Sequence, residues 1–171
     1  MTGPFAKLSL RSGQVYLRAY CPADACWYVE VRDETIFQWT TERRDLTVAE
    51  TEAAITRVND AADAVCLLIV DAVSHEPLGN LALDLDLKQQ AGEICYWLAP
   101  QGRGRGVATE AVTLLSHWAF TTLRLQRIYL KTMVGNEASQ RVAQRAGYKP
   151  IMNPKPQEAD WIWFECTAPM P

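Results

Sequence analysis

Residues 99–120 read APQGRGRGVATEAVTLLSHWAF. Three glycines and two arginines stand ahead of a regular apolar pattern. Ala108, Ala111, Val112, Leu115, Trp118 and Ala119 recur at helical spacing and mark one face of a helix. A flexible loop at the mouth of a helix can wrap its backbone N–H groups around an anion, and the helix end adds partial positive charge. Glycines at 104 and 106 allow positive dihedrals and close approach of a ligand to the backbone. The chemistry on offer is the capture of a phosphate.

Three phosphate-binding patterns compete for this stretch. A P-loop needs G-x-x-x-x-G-K-[ST], and the chain has no Gly-Lys-Ser or Gly-Lys-Thr. A dinucleotide fingerprint needs G-x-G-x-x-G. Counted from Gly102 it ends on Val107, and from Gly104 on Thr109, so it fails twice. The pattern Q/R-x-x-G-x-G/A is met by Gln101, Gly104 and Gly106. A purely structural turn is the plain alternative, and two successive Gly-Arg pairs suit it poorly.

The elements that must hold the loop can be read from hydrophobic period and turn chemistry. VYLRAY (15–20) reads as a strand, and residues 22–39 as a helix opened by Pro22 and Asp24. TVAETEAAITRV begins with a capping box, Thr47 with Glu50. AVCLLIVDA (64–72), LALDLDL (81–87) and EICYWLA (93–99) read as an antiparallel meander, with the aspartates of the middle run facing out. After the loop helix come a strand RIYLKTMV (127–134), a short helix from Asn136 to the stop at Gly147, and two strands in YKPIM and DWIWFECT. The order is β-α-α-β-β-β-α-β-α-β-β. The segment 93–134 can be a parallel crossover inside an otherwise antiparallel sheet.

Composition narrows the function classes. The 171 residues suit one domain spanning 1–171, and 49% hydrophobic with 22% charged residues is a globular balance. No apolar run approaches the roughly 18 residues of a membrane span, and no signal peptide is visible, so a cytoplasmic protein without membrane contact is expected. A formal charge of −3 without a dense basic run argues against nucleic acid. The five cysteines form no CxxC pair, which points to reduced thiols and no metal, with Cys66 and Cys95 packed in apolar strands.

YWLAPQGRGRGVATEA, NEASQRVAQRAGY and an LRAY…DA…W beginning followed by a capped helix together resemble the GNAT superfamily of acetyl-CoA-dependent N-acetyltransferases, RimJ/RimL branch. The resemblance covers essentially the whole chain. It implies an α/β (α+β) GNAT fold: a central mixed, mostly antiparallel sheet with splayed central strands and about four flanking helices. It implies acetyl-CoA as cosubstrate and a peptide or small-molecule amine as acceptor. A homodimer is compatible with it.

The resemblance also implies roles. The amides of roughly Arg103 to Ala108, with Gln101, Gly102, Gly104, Arg105, Gly106 and Val107, would cradle the pyrophosphate. Thr109 would add a hydroxyl, and Arg103 and Arg105 would add charge. The pantetheine arm would pair with backbone near Trp97 and Leu98, and an amide of residues 97–99 would stabilise the oxyanion. Asn136 would hold the pantetheine as well as cap its helix. Glu93 would be the base, its pKa raised among apolar neighbours, with a water chain as its rival. The tyrosine that many members place seven residues after the asparagine is Ala143 here. Ser139 would therefore donate to the departing thiolate, and Tyr148 reads as core. Trp27, Tyr28, Phe37, Trp39, Trp161 and Trp163 are candidates for the acceptor pocket, most of them core aromatics. A non-catalytic acyl-CoA-binding module shares the loop, and only Glu93 and Ser139 argue against it.

The loop reading predicts that acetyl-CoA raises the melting temperature by mass action. Pantetheine without the nucleotide should do far less. Equal shifts in a thermal melt would refute the pyrophosphate assignment.

Overall fold

Alternating apolar residues force strands to lie side by side until both faces are covered, and here the result is one eight-stranded sheet. The computed structural model describes residues 3–155 and 157–168. The remaining positions of the anticipated 1–171 span lie outside that description.

The chain opens with a hairpin of β1 (Ser9–Ser12) and β2 (Val15–Ala19), turned at Gly13 with φ +47. β1 was not anticipated. It is a four-residue outer strand with little burial, too short to show a period. The helix expected over 22–39 is three pieces: a 3-10 turn Pro22–Asp24, α1 (Ala25–Glu30) and α2 (Glu34–Trp39). Asp33 causes the break. Its backbone is extended, and its side chain caps α2 by accepting from the Ile36 amide at 3.1 Å. The described residues form five α-helices, where about four were implied.

α3 (Val48–Asp60) starts on the expected Thr47–Glu50 capping box. β3 (Ala64–Asp71), β4 (Pro77–Asp86) and β5 (Ala91–Leu98) form the antiparallel meander. β4 begins earlier than expected, because Pro77 and Gly79 disguise a strand. A 3-10 turn at Pro100–Gly102 leads into α4 (Val107–Thr121). β6 (Arg127–Met133), α5 (Glu137–Arg145), β7 (Lys149–Ile151) and β8 (Trp161–Thr167) complete the chain.

The strand order is β1-β2-β3-β4-β5-β6-β8-β7. Every neighbouring pair is antiparallel except β5 with β6, as the crossover through α4 requires. Helix α4 lays Ala111, Val112 and Leu115 on one sheet face, against a core that includes Leu17, Ile69, Leu83, Ile94, Ile128 and Phe164. Ala143 of α5 and Tyr148 join that core. Tyr148 also meets Ser116 Oγ at 2.7 Å, so its core reading holds. On the opposite face a second cluster gathers Tyr20, Ala25, Ile55, Leu68 and Val70 under α1 and α3.

Candidate active site

The one parallel pair is short. β5 and β6 are in register from Ala91↔Arg127 to Ile94↔Leu130 and then part. Beyond that point β5 keeps only β4, and β6 keeps only β8. The sheet therefore opens as a wedge, the splay that the resemblance implied. Along a strand, successive residues aim their N–H and C=O to opposite sides. The Ala99 amide donates to Leu78 O at 2.9 Å, and the Trp97 carbonyl lies against Gly79. These residues face β4, so Tyr96 and Leu98 face the wedge. Trp97 thus cannot offer its backbone to a ligand there, contrary to expectation. Among residues 97–99 the Leu98 amide is the one directed into the opening.

Next to the wedge lies the glycine loop. Gly104 and Gly106 have φ +73 and +78, and a Cβ at either would meet no atom within 4 Å. Gly106 is the N-cap of α4 and offers no side chain to satisfy its first turn. The amides of Gly102 and Arg103 are taken by Ala99 O and Pro100 O. The free loop amides therefore begin one residue later than expected. Among the described residues no backbone carbonyl accepts from the amides of Gly104, Arg105 or Gly106, and those of Val107, Ala108 and Thr109 belong to the uncapped first turn. A run of outward N–H groups at a helix N-terminus fits a polyphosphate. Gln101 supports the loop from below, its Nε2 donating to Pro77 O at 3.0 Å. Gly102 is buried, and a Cβ there would lie 2.7 Å from Leu78 O.

Both loop arginines are already paired with carboxylates. Arg103 makes a bidentate pair with Asp33 at 2.7 and 2.8 Å and also donates to Leu98 O. One guanidinium thus ties the loop, the free end of β5 and the cap of α2 together. Arg105 pairs with Asp71 at 2.8 Å and reaches Gln101 O at 3.3 Å. Sequence patterns show that a charge is present but not whether a partner already holds it. Arg145, on the wedge-side wall of α5, makes no ion pair among the described residues and was not singled out from sequence.

The wedge and the loop open into one cleft of about 650 Å³. On its α5 side, Asn136 caps the helix by accepting from the Ser139 amide at 3.1 Å. Ser139 Oγ lies 3.0 Å from the phenol oxygen of Tyr96. Burial pushes that phenol up to about 12, so it is protonated at neutral pH. Thr132, buried in β6, lines the same cleft, and its Oγ1 has no hydrogen-bond partner among the described residues. Sequence reasoning missed Tyr96 and Thr132. The alternation of 94, 96 and 98 against 93, 95 and 97 was the available signal.

The other face of the sheet is acidic and aromatic. Glu93 stands at the second-last bridge before the strands part. It is not among apolar residues as expected, but half-exposed and 3.2 Å from Lys131 Nζ. Against the cost of desolvation, Glu93 and Glu158 hold the Lys131 ammonium above its usual range. Lys131 also sits over the Trp161 and Trp163 rings. Asp84, directly opposite Glu93 on β4, is raised by partial burial and then by Glu93 and Asp63. Cys95 opens onto the cleft rather than packing in a core, while Cys66 is half-buried. The crowding of the cleft walls and then the nearby carboxylates push the Cys95 thiol up to about 12, so it supplies no thiolate nucleophile at neutral pH. Of the aromatic candidates, Trp39 and Trp161 line the cleft. Trp27 and Tyr28 instead pack on Trp97, whose indole faces Glu42 Oε1 at 3.3 Å.

Residues 14–149 match a family model described as an acetyltransferase (GNAT) domain. An N-acetyltransferase 9-like protein of Caenorhabditis briggsae is 33% identical over 70 residues, 40% of this chain and 35% of that protein. The chain's alignments span only about a third of the length of the curated relatives it matches. The fold superposes on a ribosomal-protein-S5-alanine acetyltransferase from Vibrio fischeri with a TM-score of 0.82 at 19% identity, over 95% of this chain and 97% of that one. It superposes on a Vibrio cholerae spermidine N-acetyltransferase, solved with CoA and spermine, with a TM-score of 0.79 at 19% identity, over 92% and 97%.

Valine at position 104 or 106 would be forced into a left-handed conformation at a cost of about 1–2 kcal/mol and would place a branched side chain over the amides. Acetyl-CoA affinity should fall at least about tenfold with the circular dichroism spectrum retained. Calorimetric titration showing normal binding in both variants would remove the cradle. A second expectation concerns acid. Asp33 is held below the usual carboxylate range chiefly by Arg103, with help from the Ile36 amide and opposition from desolvation. A depressed folded value contributes stability above the unfolded pKa of about 3.9, and that contribution is lost as pH falls through the folded value. Arg103→Met should therefore move the acid-unfolding midpoint to higher pH, as followed by circular dichroism.

Proposed function

Because the chain belongs to the GNAT acetyltransferase family, we propose that it transfers an acetyl group from acetyl-CoA to a primary amine. The observation that carries this reading is the coincidence of two unmet demands: an open wedge in the middle of a sheet, and an uncapped glycine loop at its mouth. A pantetheine amide chain answers the first and a pyrophosphate answers the second. Acetyl-CoA supplies the thioester.

The chain's residues divide the work by face. Amides from Gly104 to Thr109 hold the pyrophosphate, and the wedge-facing backbone of Tyr96 pairs with the pantetheine arm, the Leu98 carbonyl being already held by Arg103. Asn136 fixes the first turn of α5, leaving its Nδ2 for the arm. The Leu98 amide donates to the carbonyl oxygen as it becomes an oxyanion. On the acidic face Glu93 accepts the amine proton, directly or through water, with Lys131 Nζ 3.2 Å away. Ser139 donates a hydrogen bond to sulfur as the C–S bond breaks, from the N-terminal turn of a helix whose dipole favours the anion. The acceptor enters on the face of Trp39, Asp84, Glu93 and Trp161, where acidic walls suit an ammonium. Relatives named for ribosomal-protein and spermidine acetylation support peptide N-termini and polyamines as first acceptors to try.

Free-thiol release across a panel of both acceptor types tests the reading. No release from any amine, with acetyl-CoA binding intact, would make the protein a binding module. Two variants should fail differently. Glu93→Gln should lower turnover by about 100-fold or more and alter the acidic limb of the pH–rate profile. An unchanged profile would assign deprotonation to water. Ser139→Ala should lower kcat by about 10- to 100-fold while the KM for acetyl-CoA hardly moves, because the lost contact forms chiefly in the transition state.

A further inference from the structure

Tyr96 of β5 reaches across the wedge to α5 beyond it. Its phenol oxygen lies 3.0 Å from Ser139 Oγ, and both residues line the cleft. Two residues before Tyr96, Ile94 makes the last bridge to β6, so the pair spans the first opening of the sheet. Ile94 lies in the main core and Tyr96 packs against it, which fixes the ring. Ser139 is fixed as well, since its amide is held by Asn136 Oδ1.

By distance alone either hydroxyl can be the donor. A phenol is a stronger donor than an aliphatic alcohol and a poorer acceptor, which favours Tyr96 donating and Ser139 accepting. A serine hydroxyl has one hydrogen and two lone pairs. Once the phenol occupies a lone pair, the serine hydrogen turns away from Tyr96 and is free to point into the cleft that Ser139 lines. A hydroxyl that accepts one bond also donates a stronger one.

We propose that Tyr96 is a positioning residue for the leaving-group step, its phenol holding Ser139 so that the single serine hydrogen points at the thioester sulfur. The inference rests on the thiolate role of Ser139 given above. In that step the C–N bond forms and the C–S bond breaks. The electron pair goes to sulfur, the amine proton leaves on the acidic face, and sulfur takes its proton from water after release. Tyr96 keeps its own proton throughout, in accord with a phenol buried enough to remain neutral. Ala143, four residues after Ser139 on α5, is wholly buried and carries no donor.

The test needs no acceptor. Coenzyme A with a free thiol is bound to the full chain, and its thiolate is titrated by ultraviolet absorbance against the complex with dethio-coenzyme A. A donor aimed at sulfur lowers the bound thiol's pKa. Tyr96→Phe should raise that pKa by about half a unit to one unit, the size expected for weakening one hydrogen bond to an anion. Ser139→Ala should raise it at least as much. The double variant should match Ser139→Ala alone, because Tyr96 acts only through Ser139. Melting curves and coenzyme A affinity should stay close to wild type in Tyr96→Phe, which excludes a folding defect as the cause. If Ser139→Ala raises the pKa but Tyr96→Phe does not, or if the two shifts add in full, the positioning role is overturned while the thiolate role stands. If Ser139→Ala leaves the pKa unchanged, the thiolate role fails and the inference with it. Failure of the wild-type chain to bind coenzyme A would overturn the cofactor reading itself.

Discussion

A parallel pair that stops after four residues leaves backbone N–H and C=O groups in the middle of a sheet with no strand to meet them. Buried backbone groups without partners are costly, so a native fold leaves such a gap only where something else fills it. The rest of the molecule is arranged around that gap. β4 and β8 pair the outer sides of β5 and β6 along their full lengths, which keeps the two strands ordered although they diverge. The Leu98 carbonyl at the free end of β5 is satisfied by Arg103, and the same guanidinium grips the cap of α2. The glycine loop and α2 are therefore joined through one side chain.

The two faces of the sheet carry different chemistry because strand alternation sorts side chains by parity. Even-numbered residues of β5 point toward α4 and α5, where hydroxyls gather: Tyr96, Ser139 and the orphaned Thr132. Odd-numbered residues point to the other face, where Glu93 faces Asp84 across the strands and Lys131 lies beside it. A thioester in the wedge would have neutral donors on its sulfur side and carboxylates on its amine side. That division matches the needs of aminolysis, in which negative charge grows on sulfur and oxygen while the nucleophile must shed a proton.

Most of the fold was legible in the chain itself. The meander, the loop helix and the Thr47 capping box all have strong local signals, and each is present. The misses have local causes too. Asp33 was read as part of one long helix because a cap inside an apolar pattern looks like an ordinary polar position, and its role appears only with its bond to the Ile36 amide. β1 is too short to carry a period, and Pro77 with Gly79 hid the start of β4.

What the sequence by itself determined is the backbone chemistry: positive dihedrals at Gly104 and Gly106, an uncapped helix start, and a strand–loop–helix–strand crossover. Those properties belong to short stretches and follow from residue type and spacing. What the tertiary structure alone decided is the assignment of side chains. Arg103 and Arg105 read as free charges until Asp33 and Asp71, distant in sequence, took them. Glu93 read as a base in apolar surroundings until Lys131 appeared beside it, and Cys95 read as core until the sheet opened on it. Tyr96 and Ser139 stand 43 residues apart and met only because β6 carries α5 back across the wedge. A side chain's charge state and hydrogen-bond partner depend on neighbours supplied by other elements, and no local pattern encodes which element arrives there.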